Sequence, residues 1–386
     1  MPASDVVFTF SYLSWQAAAD RGWFGSEDRL ALGLLAHERV ERLLVCDQAR
    51  SLPVMLLRDL QTPRKARDAA HFPASESAQL LRPARWRREY PTSIAGVERA
   101  CAAYDRALRR GAKQMGLDEP AVITANPLIA GFAKLDWAGP VTFYLTDDWL
   151  AYHPLRRWWP AFEESFARVR SRGRRVGAVS TPALARVAPS GPSAVVPNGL
   201  DPQEWLGTPH PPAWAAELRE HGPLLVYAGT LDSRLDVPAL LALARGLPEA
   251  TLVLVGPLLD AHHLAPLQAQ PNIQVRPPLE RAEITGLVRA ADVGLIPHDD
   301  LPLTRAMSPL KLYEYLAAGL PVVAADLPPV RGVHSSVRLA DRPAAYVEAA
   351  RAALAAGRAS EAQRAEFIAH NSWRARHDKL LDLALA

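Results

Sequence analysis

SPLKLYEYLAAGLPVVAAD (308–326) reads as a short helix that runs straight into a buried strand. Ser308 offers an N-cap hydroxyl, and Pro309 suits the first helical position. Gly319 stops the helix and Pro321 opens the next segment. Lys311 and Glu314 stand three residues apart, so they share one face of the first helical turns. A helix suited to burial therefore carries a cation and a carboxylate beside its N-terminus. Two readings stand: a surface ion pair, or a pair of handles for a ligand at a sheet edge.

The segments upstream repeat the same rhythm. LLVYAGTL (224–231) reads as a strand, VPALLALARGL (237–247) as a helix and TLVLVGP (251–257) as a strand. NIQVRPP (272–278), ERAEITGLVRAAD (280–292) and VGLIPH (293–298) continue the alternation, which is the pattern of a parallel sheet covered by helices on both faces. The N-terminal half opens on VVFTFSYL (6–13), then a glycine-punctuated loop, a helical pattern and LLVCD (43–47). In that loop lie Gly22 and Gly25, with Ser26 placed to cap the helix. IAGVERACAAYDRALRRGAKQMG (94–116) reads as a helix, with AVITANP (121–127) and VTFYLTDDW (141–149) as further strands. Residues 58–90 show no clean period and read as irregular. The tail reads as two helices, 342–357 and 361–386.

At 386 residues the chain exceeds one typical core, so two domains are expected. Apolar residues make up 49% and charged residues 22%, a globular composition. No apolar run reaches the roughly 18 residues of a membrane span, and the first residues lack the basic start of a secretory signal. Cys46 and Cys101 have no metal-like spacing and suit a reducing, cytoplasmic setting without disulfides. The net charge is +3, yet residues 58–113 hold 13 Arg and Lys against 6 Asp and Glu. That basic half either attracts phosphates or an anionic membrane face, or is solvated filler.

In an open α/β sheet, ligands bind outside the carboxyl ends of the strands, where helix N-termini point. The helix after Ser308 begins at such an edge. Its backbone N–H groups, Lys311 and the preceding Arg305 suit a diphosphate. Glu314 can accept two hydroxyl hydrogens, as from a ribose. Gly229, in the turn after LLVYA, allows close backbone approach, and Arg234 lies in the same turn. That turn lacks the GxGxxG dinucleotide fingerprint, which argues against an NAD enzyme. Asp147 and Asp148 end a strand and either assist an acceptor or cap a local turn. Neither they nor Asp299–Asp300 nor His262–His263 carries a metal pattern, so no metal site is expected.

VPNGLD (196–201), LLVYAGTL, TLVLVGP, AADVGLIP and PLKLYEYLAAGLPVVAAD follow the order found in GT-B fold glycosyltransferases, and they resemble the retaining family four. The resemblance covers residues 195–326, together with Ser372–Trp373. It implies an α/β fold of two Rossmann-like, doubly wound parallel-sheet domains facing a cleft. Residues 1–190 would form the acceptor domain, with Gly22, Gly25 and Ser26 in its first loop. Residues 191–360 would form the donor domain, and 361–386 a helix returning toward the first domain. Glu314 would bind ribose hydroxyls. Ser308, Leu310 and Leu312 would surround the phosphates through backbone groups, with Lys311 adding charge, and Arg276 would lie by the nucleobase. The family's first signature glutamate falls on Ala306, eight residues before Glu314. Its usual loop Arg and Lys fall on Thr230 and Leu235, leaving Arg234, Arg305 or Lys311 to neutralise the diphosphate.

The expected activity is retaining, metal-independent transfer from a nucleotide-diphosphate sugar to a glycan, lipid-carrier or small-molecule hydroxyl. Asp147, Asp148, Arg234 and Lys311 would form the catalytic group. The nucleotide sugar is a co-substrate rather than a cofactor, and UDP, GDP and TDP are equally compatible. A nucleotide-sugar epimerase and a non-catalytic nucleotide-sugar binder are the alternatives. Expected partners are the sugar donor and acceptor, with a peripheral membrane contact through the basic half and no nucleic acid.

Overall fold

The computed structural model describes residues 3–54 and 72–386. The chain divides into two compact units, one of residues 1–197 with 376–386 and the other of residues 198–375. The strands of the first are β1 (Ser4–Thr9), β2 (Val40–Cys46), β3 (Arg50–Ser51), β4 (Ala78–Leu81), β5 (Ala84–Arg85), β6 (Ala121–Thr124), β7 (Val141–Leu145), β8 (Arg175–Ala178) and β9 (Ser193–Val195). Seven of them form one parallel sheet in the order β4-β2-β1-β6-β7-β8-β9, while β3 and β5 pair separately. The second unit holds β10 (Leu224–Ala228), β11 (Thr251–Val255), β12 (Ile273–Arg276), β13 (Val293–Ile296), β14 (Val322–Ala325) and β15 (Val337–Ala340). These form a parallel sheet in the order β12-β11-β10-β13-β14-β15.

All residues of β10, β13 and β14 are buried, as strands covered on both faces require. Each sheet reverses its winding once: between β1 and β6 in the first unit, and between β10 and β13 in the second. A reversal leaves a crevice at the carboxyl ends of the strands that flank it, and ligands of doubly wound sheets bind there.

Several sequence expectations shift. The stretch read as irregular contains β4, which pairs with β2 and extends the sheet, and β5, which pairs with β3; its residues 58–71 lie outside the described residues. The division falls after Pro197 rather than near 190. The second tail helix breaks at Asn371–Ser372, giving Glu361–His370 and Trp373–Leu385. The cause is backbone pairing: Leu200 donates to the Asn371 carbonyl (3.0 Å) and Trp373 donates to the Leu200 carbonyl (2.9 Å). Residues 361–375 therefore stay with the second unit, and only residues 376–386 belong to the first. His262 and His263 sit in the helix Ala261–Gln268, which Asp260 caps by accepting from the His263 N–H.

Candidate functional site

In the second unit, the helix Leu310–Ala317 is fixed to the sheet by Tyr315. That tyrosine is fully buried, and its hydroxyl accepts the Ala228 N–H at the end of β10 (2.8 Å). At the other end of the helix, two guanidinium groups satisfy the last carbonyls. Arg364 donates to Ala317 (2.8 Å) and Arg358 to Ala318 (2.6 Å). Cations at the C-terminus match the helix dipole, and the first-turn N–H groups face the sheet's carboxyl edge. The expected cap differs. Pro309 occupies the N-cap with extended backbone, and Leu310 is the first helical residue. The Ser308 hydroxyl instead accepts the Asn198 N–H (3.1 Å), while the Asn198 amide donates to the Ser308 carbonyl (2.6 Å). The NGLD turn is thereby clasped to the helix entrance.

Lys311 leaves the first turn toward Gly229. Its ammonium lies 4.6 Å from the Tyr227 ring centroid and donates to the Tyr227 hydroxyl at 3.3 Å. A Cβ on Gly229 would stand 2.9 Å from Lys311 Nζ, and its φ of +155° disfavours a side chain as well. Gly256, after β11, is needed for a similar reason, since its Cβ would overlap the Gly229 carbonyl. Two strand-end glycines thus make the floor on which the lysine rests. Burial, helped by Arg234, pulls the Lys311 ammonium down to about 8.

Tyr227 also donates to the Thr230 carbonyl (3.0 Å) and lies 3.4 Å from His298 Nε2. His298 is buried just past β13, and its Nδ1 has no partner. Burial, then Lys311 and Arg234, hold its imidazole well below the usual range, so it is neutral. Arg234 is engaged by Asp232 in a two-point pair (2.9 and 2.8 Å). Burial raises the Asp232 carboxyl, but Arg234 and then Lys311 outweigh it and leave it below its ordinary value.

Glu314 is not exposed to water as a lone acceptor. Its Oε1 pairs with Arg281 at 2.7 Å, and Arg281 also holds Glu204 (3.0 Å) while lying over the Trp205 ring. Lys311 and Glu314 therefore do not form the surface pair that their spacing allows. Arg305 donates to both carboxylate oxygens of Asp300 through Nε and Nη2, and more than half of its side chain is exposed. Arg276 donates to Gln274 and stacks on Trp214 at 4.8 Å. It borders a cavity of about 490 Å³ together with Gly256, Val275, Pro277 and Pro278. Ala306 is buried at the end of the short helix Pro302–Ala306.

The first unit has its own cluster at the β1/β6 reversal. A cavity of about 300 Å³ brings together Gly25, Ser26, Asp147 and Asp148 with Tyr12 and Glu27. Gly22 is not among its walls. Gly25, not Ser26, takes the N-cap, with its N–H donated to Asp28 at 3.0 Å, because Ser26 is already the first helical residue. Asp148 is a structural group: its carboxylate accepts the Leu150 N–H (3.1 Å) and pairs with Arg186 (3.0 Å). Asp147 accepts the Asp148 N–H (2.8 Å) and adds negative potential at Tyr12. Glu27 is buried, and its two oxygens accept the Ser11 N–H and hydroxyl, each at 2.7 Å. Burial pushes its carboxyl up to about 7 against the pull of those hydrogen bonds.

Sequence reasoning missed Tyr227, His298, Arg281 and Glu27. The first two sit inside apolar strand runs and read as core. Arg281 and Glu27 belong to polar helix starts, where charges are ordinary. Among the described residues, no group of three or more His, Cys, Asp or Glu is arranged to hold a metal ion. No described helix is long and apolar enough to cross a membrane.

Residues 222–356 match the family model described as Glycosyl transferases group 1. A Bacillus subtilis (strain 168) protein bearing the name of a teichuronic acid biosynthesis glycosyltransferase, TuaH, is 30% identical over 137 residues. That match covers 34% of this chain and 34% of the relative, so it spans about a third of each length. The trehalose-6-phosphate protein of E. coli, solved bound with UDP-2-fluoro glucose, has a TM-score of 0.69 at 14% identity, covering 99% of both chains. The α,α-trehalose 6-phosphate synthase of Burkholderia multivorans has a TM-score of 0.67 at 15% identity, covering 100% of this chain and 98% of that one. At such identities the likeness shows the fold, which is the GT-B class of two α/β units with parallel sheets.

Proposed function

We propose that the chain is a retaining glycosyltransferase that moves a sugar from a nucleotide-diphosphate donor to an acceptor hydroxyl. The carrying observation is Lys311, held over Gly229 and Tyr227 at the β10/β13 reversal, in the stretch that the family model matches. A diphosphate there would meet the lysine and the first-turn N–H groups of the helix Leu310–Ala317. Departure of the nucleoside diphosphate builds negative charge on its phosphates, and preorganised donors of this kind stabilise that charge. Arg234 would add to the field from its pair with Asp232. Glu314, three residues on, would take the ribose hydroxyls, for which its Oε1 must loosen from Arg281. The 490 Å³ cavity beside Arg276 has room for a nucleobase.

On the acceptor side, Asp147 and Glu27 are the groups that would orient a hydroxyl and receive its proton. A carboxyl near 7 suits that exchange at neutral pH. Same-face attack, as the resemblance implies, asks for no dedicated nucleophile. Ala306 removes a carboxylate that the resembling family uses on the donor sugar, so sugar selection would rest on other groups.

The test is a thermal-shift panel of UDP, GDP, ADP and TDP, followed by turnover of the matching radiolabelled nucleotide sugars. Binding to the native state raises the melting temperature. Release of the diphosphate together with label in an acceptor supports transfer. Interconverted sugar would instead indicate an epimerase, and binding without turnover a non-catalytic binder. UDP is the first to try, since the E. coli relative was solved with a UDP sugar.

A further inference from the structure

The first unit holds a second, larger cavity of about 510 Å³, again at the carboxyl edge of its sheet. Its walls come from the segments after β2, β4 and β6 and from one face of the helix Ile94–Gln114. That helix face is hollowed by Ala100, Ala103, Ala107 and Gly111, at the three- and four-residue spacing of a single stripe. Around the hollow stand four guanidinium groups: Arg82 and Arg85 from the strand segments, Arg106 and Arg110 from the helix.

The fold engages Arg82 and Arg85 but gives less reason for Arg106 and Arg110. Arg106 and Arg110 are both exposed and lie four apart, a like-charge spacing that costs a helix a few tenths of a kcal/mol. Helix-dipole stabilisation would favour Arg110 near the C-terminal end, but it gives no reason for Arg82 and Arg85 to converge from another element. The nearby carboxylate is Asp47, 3.7 Å from Arg82, which already accepts the Trp15 N–H. Arg85 donates through its Nε to the Ala49 carbonyl (3.2 Å) and through Nη1 to the Arg87 carbonyl, and its guanidinium lies 5.8 Å from the Tyr90 ring centroid at the cavity wall.

Between this cavity and the Asp147–Glu27 chamber lie shared walls. A smaller space of about 160 Å³ shares Gln48, Tyr90 and Asn126 with the arginine cavity, and Ser11, Tyr12 and Trp149 with the chamber. Its remaining walls are apolar, Trp158 and Phe162 among them. Neighbouring spaces thus bring four guanidiniums, aromatic rings and two carboxylates to one edge of the unit. Aromatic faces suit the apolar face of a sugar ring, and guanidinium forks suit phosphate oxygens.

Resting on the glycosyltransferase reading, we infer that the acceptor carries a phosphate or diphosphate group, held by Arg82, Arg85, Arg106 and Arg110 while its hydroxyl reaches Asp147 and Glu27. The same chemistry is offered by a phosphorylated sugar in solution and by a lipid-linked phosphate.

The probe is inorganic pyrophosphate, titrated calorimetrically into the full chain. Wild type should show two classes of site. Lys311→Met should remove one, and the double variant Arg106→Gln/Arg110→Gln should weaken the other at least tenfold while leaving nucleoside diphosphate affinity unchanged. Both arginines are exposed, so the double variant should melt with wild type, and Arg106→Lys/Arg110→Lys should recover part of the binding. Unchanged pyrophosphate binding in the glutamine variant overturns the site. Displacement of bound pyrophosphate by a hexose phosphate, or by phosphatidylcholine vesicles containing a polyprenyl phosphate, identifies the source. Displacement by neither overturns the acceptor role. A failure of the glycosyltransferase reading would appear separately, as nucleotide sugars that neither bind nor turn over.

Discussion

Replacing Lys311 with Met should make the protein more stable while disabling it. In the native state the ammonium is pulled from 10.5 to about 8, first by burial and then by Arg234, despite the favourable charges of Glu314 and Asp232. At about 1.4 kcal/mol per tenfold, that displacement corresponds to about 3 kcal/mol of native-state penalty. Lys311 keeps some contact with water, so screening reduces the expected effect to about 1–2 kcal/mol. The native state binds fewer protons than the unfolded chain between pH 8 and 10.5, so wild-type stability rises with pH across that window. The penalty is therefore full at pH 7 and gone above pH 10.5. Methionine keeps the apolar stem over Gly229 and Tyr227 and carries no charge. Urea unfolding followed by tryptophan fluorescence should show the variant ahead by about 1–2 kcal/mol at pH 7, with the gap closing toward pH 10.5. Nucleoside diphosphate affinity should fall at least tenfold in the same variant. A methionine variant less stable than wild type at pH 7, or a gap independent of pH, would refute this reasoning.

Three other perturbations probe separate parts. Glu27 has its carboxyl raised to about 7 by burial, with Asp28 adding to it and Arg21 opposing. Its contribution to stability is present below pH 4.5 and lost as pH rises through 7, so Glu27→Gln should gain on wild type by up to roughly 3 kcal/mol between pH 5 and pH 8. A difference that stays constant with pH, measured by denaturant unfolding, would contradict that. Arg281→Ala strands Glu204 and Glu314 beside each other and should cost about 1–3 kcal/mol, less than a fully buried pair because both carboxylates touch water; the check is the melting temperature, with Arg281→Lys recovering only part of the loss. Arg364→Leu leaves the Ala317 and Trp205 carbonyls without their buried donor and should cost about 1–3 kcal/mol for each, measurable as a lower urea midpoint.

The parallel sheets were legible because their strands are continuous apolar runs separated by helical periods, as in LLVYA and TLVLV. Lys311 and Glu314 were legible because an N-terminal helical turn is a known place for charge beside an anion. Their partners were not. Arg281 reaches Glu314 across 33 residues, and Asn198 reaches Ser308 across 110, separations over which no sequence period speaks. The role given to Ser308 as a cap failed for that reason: a distant amide claimed its hydroxyl. Gly229 was read as room for a ligand, whereas the space beside it is filled by Lys311 itself. Glu27 was invisible because an acidic residue in a first helical turn is ordinary, and only its burial under Ser11 makes it unusual.

The most direct test of the central claim is a structure of the chain with the nucleoside diphosphate that the thermal-shift panel selects. Phosphate oxygens should lie within hydrogen-bond reach of Lys311 Nζ and the first-turn N–H groups of the helix Leu310–Ala317, with ribose hydroxyls on Glu314 and its contact to Arg281 lengthened. A nucleotide bound elsewhere, with Lys311 untouched and the Glu314–Arg281 pair intact, would contradict that claim.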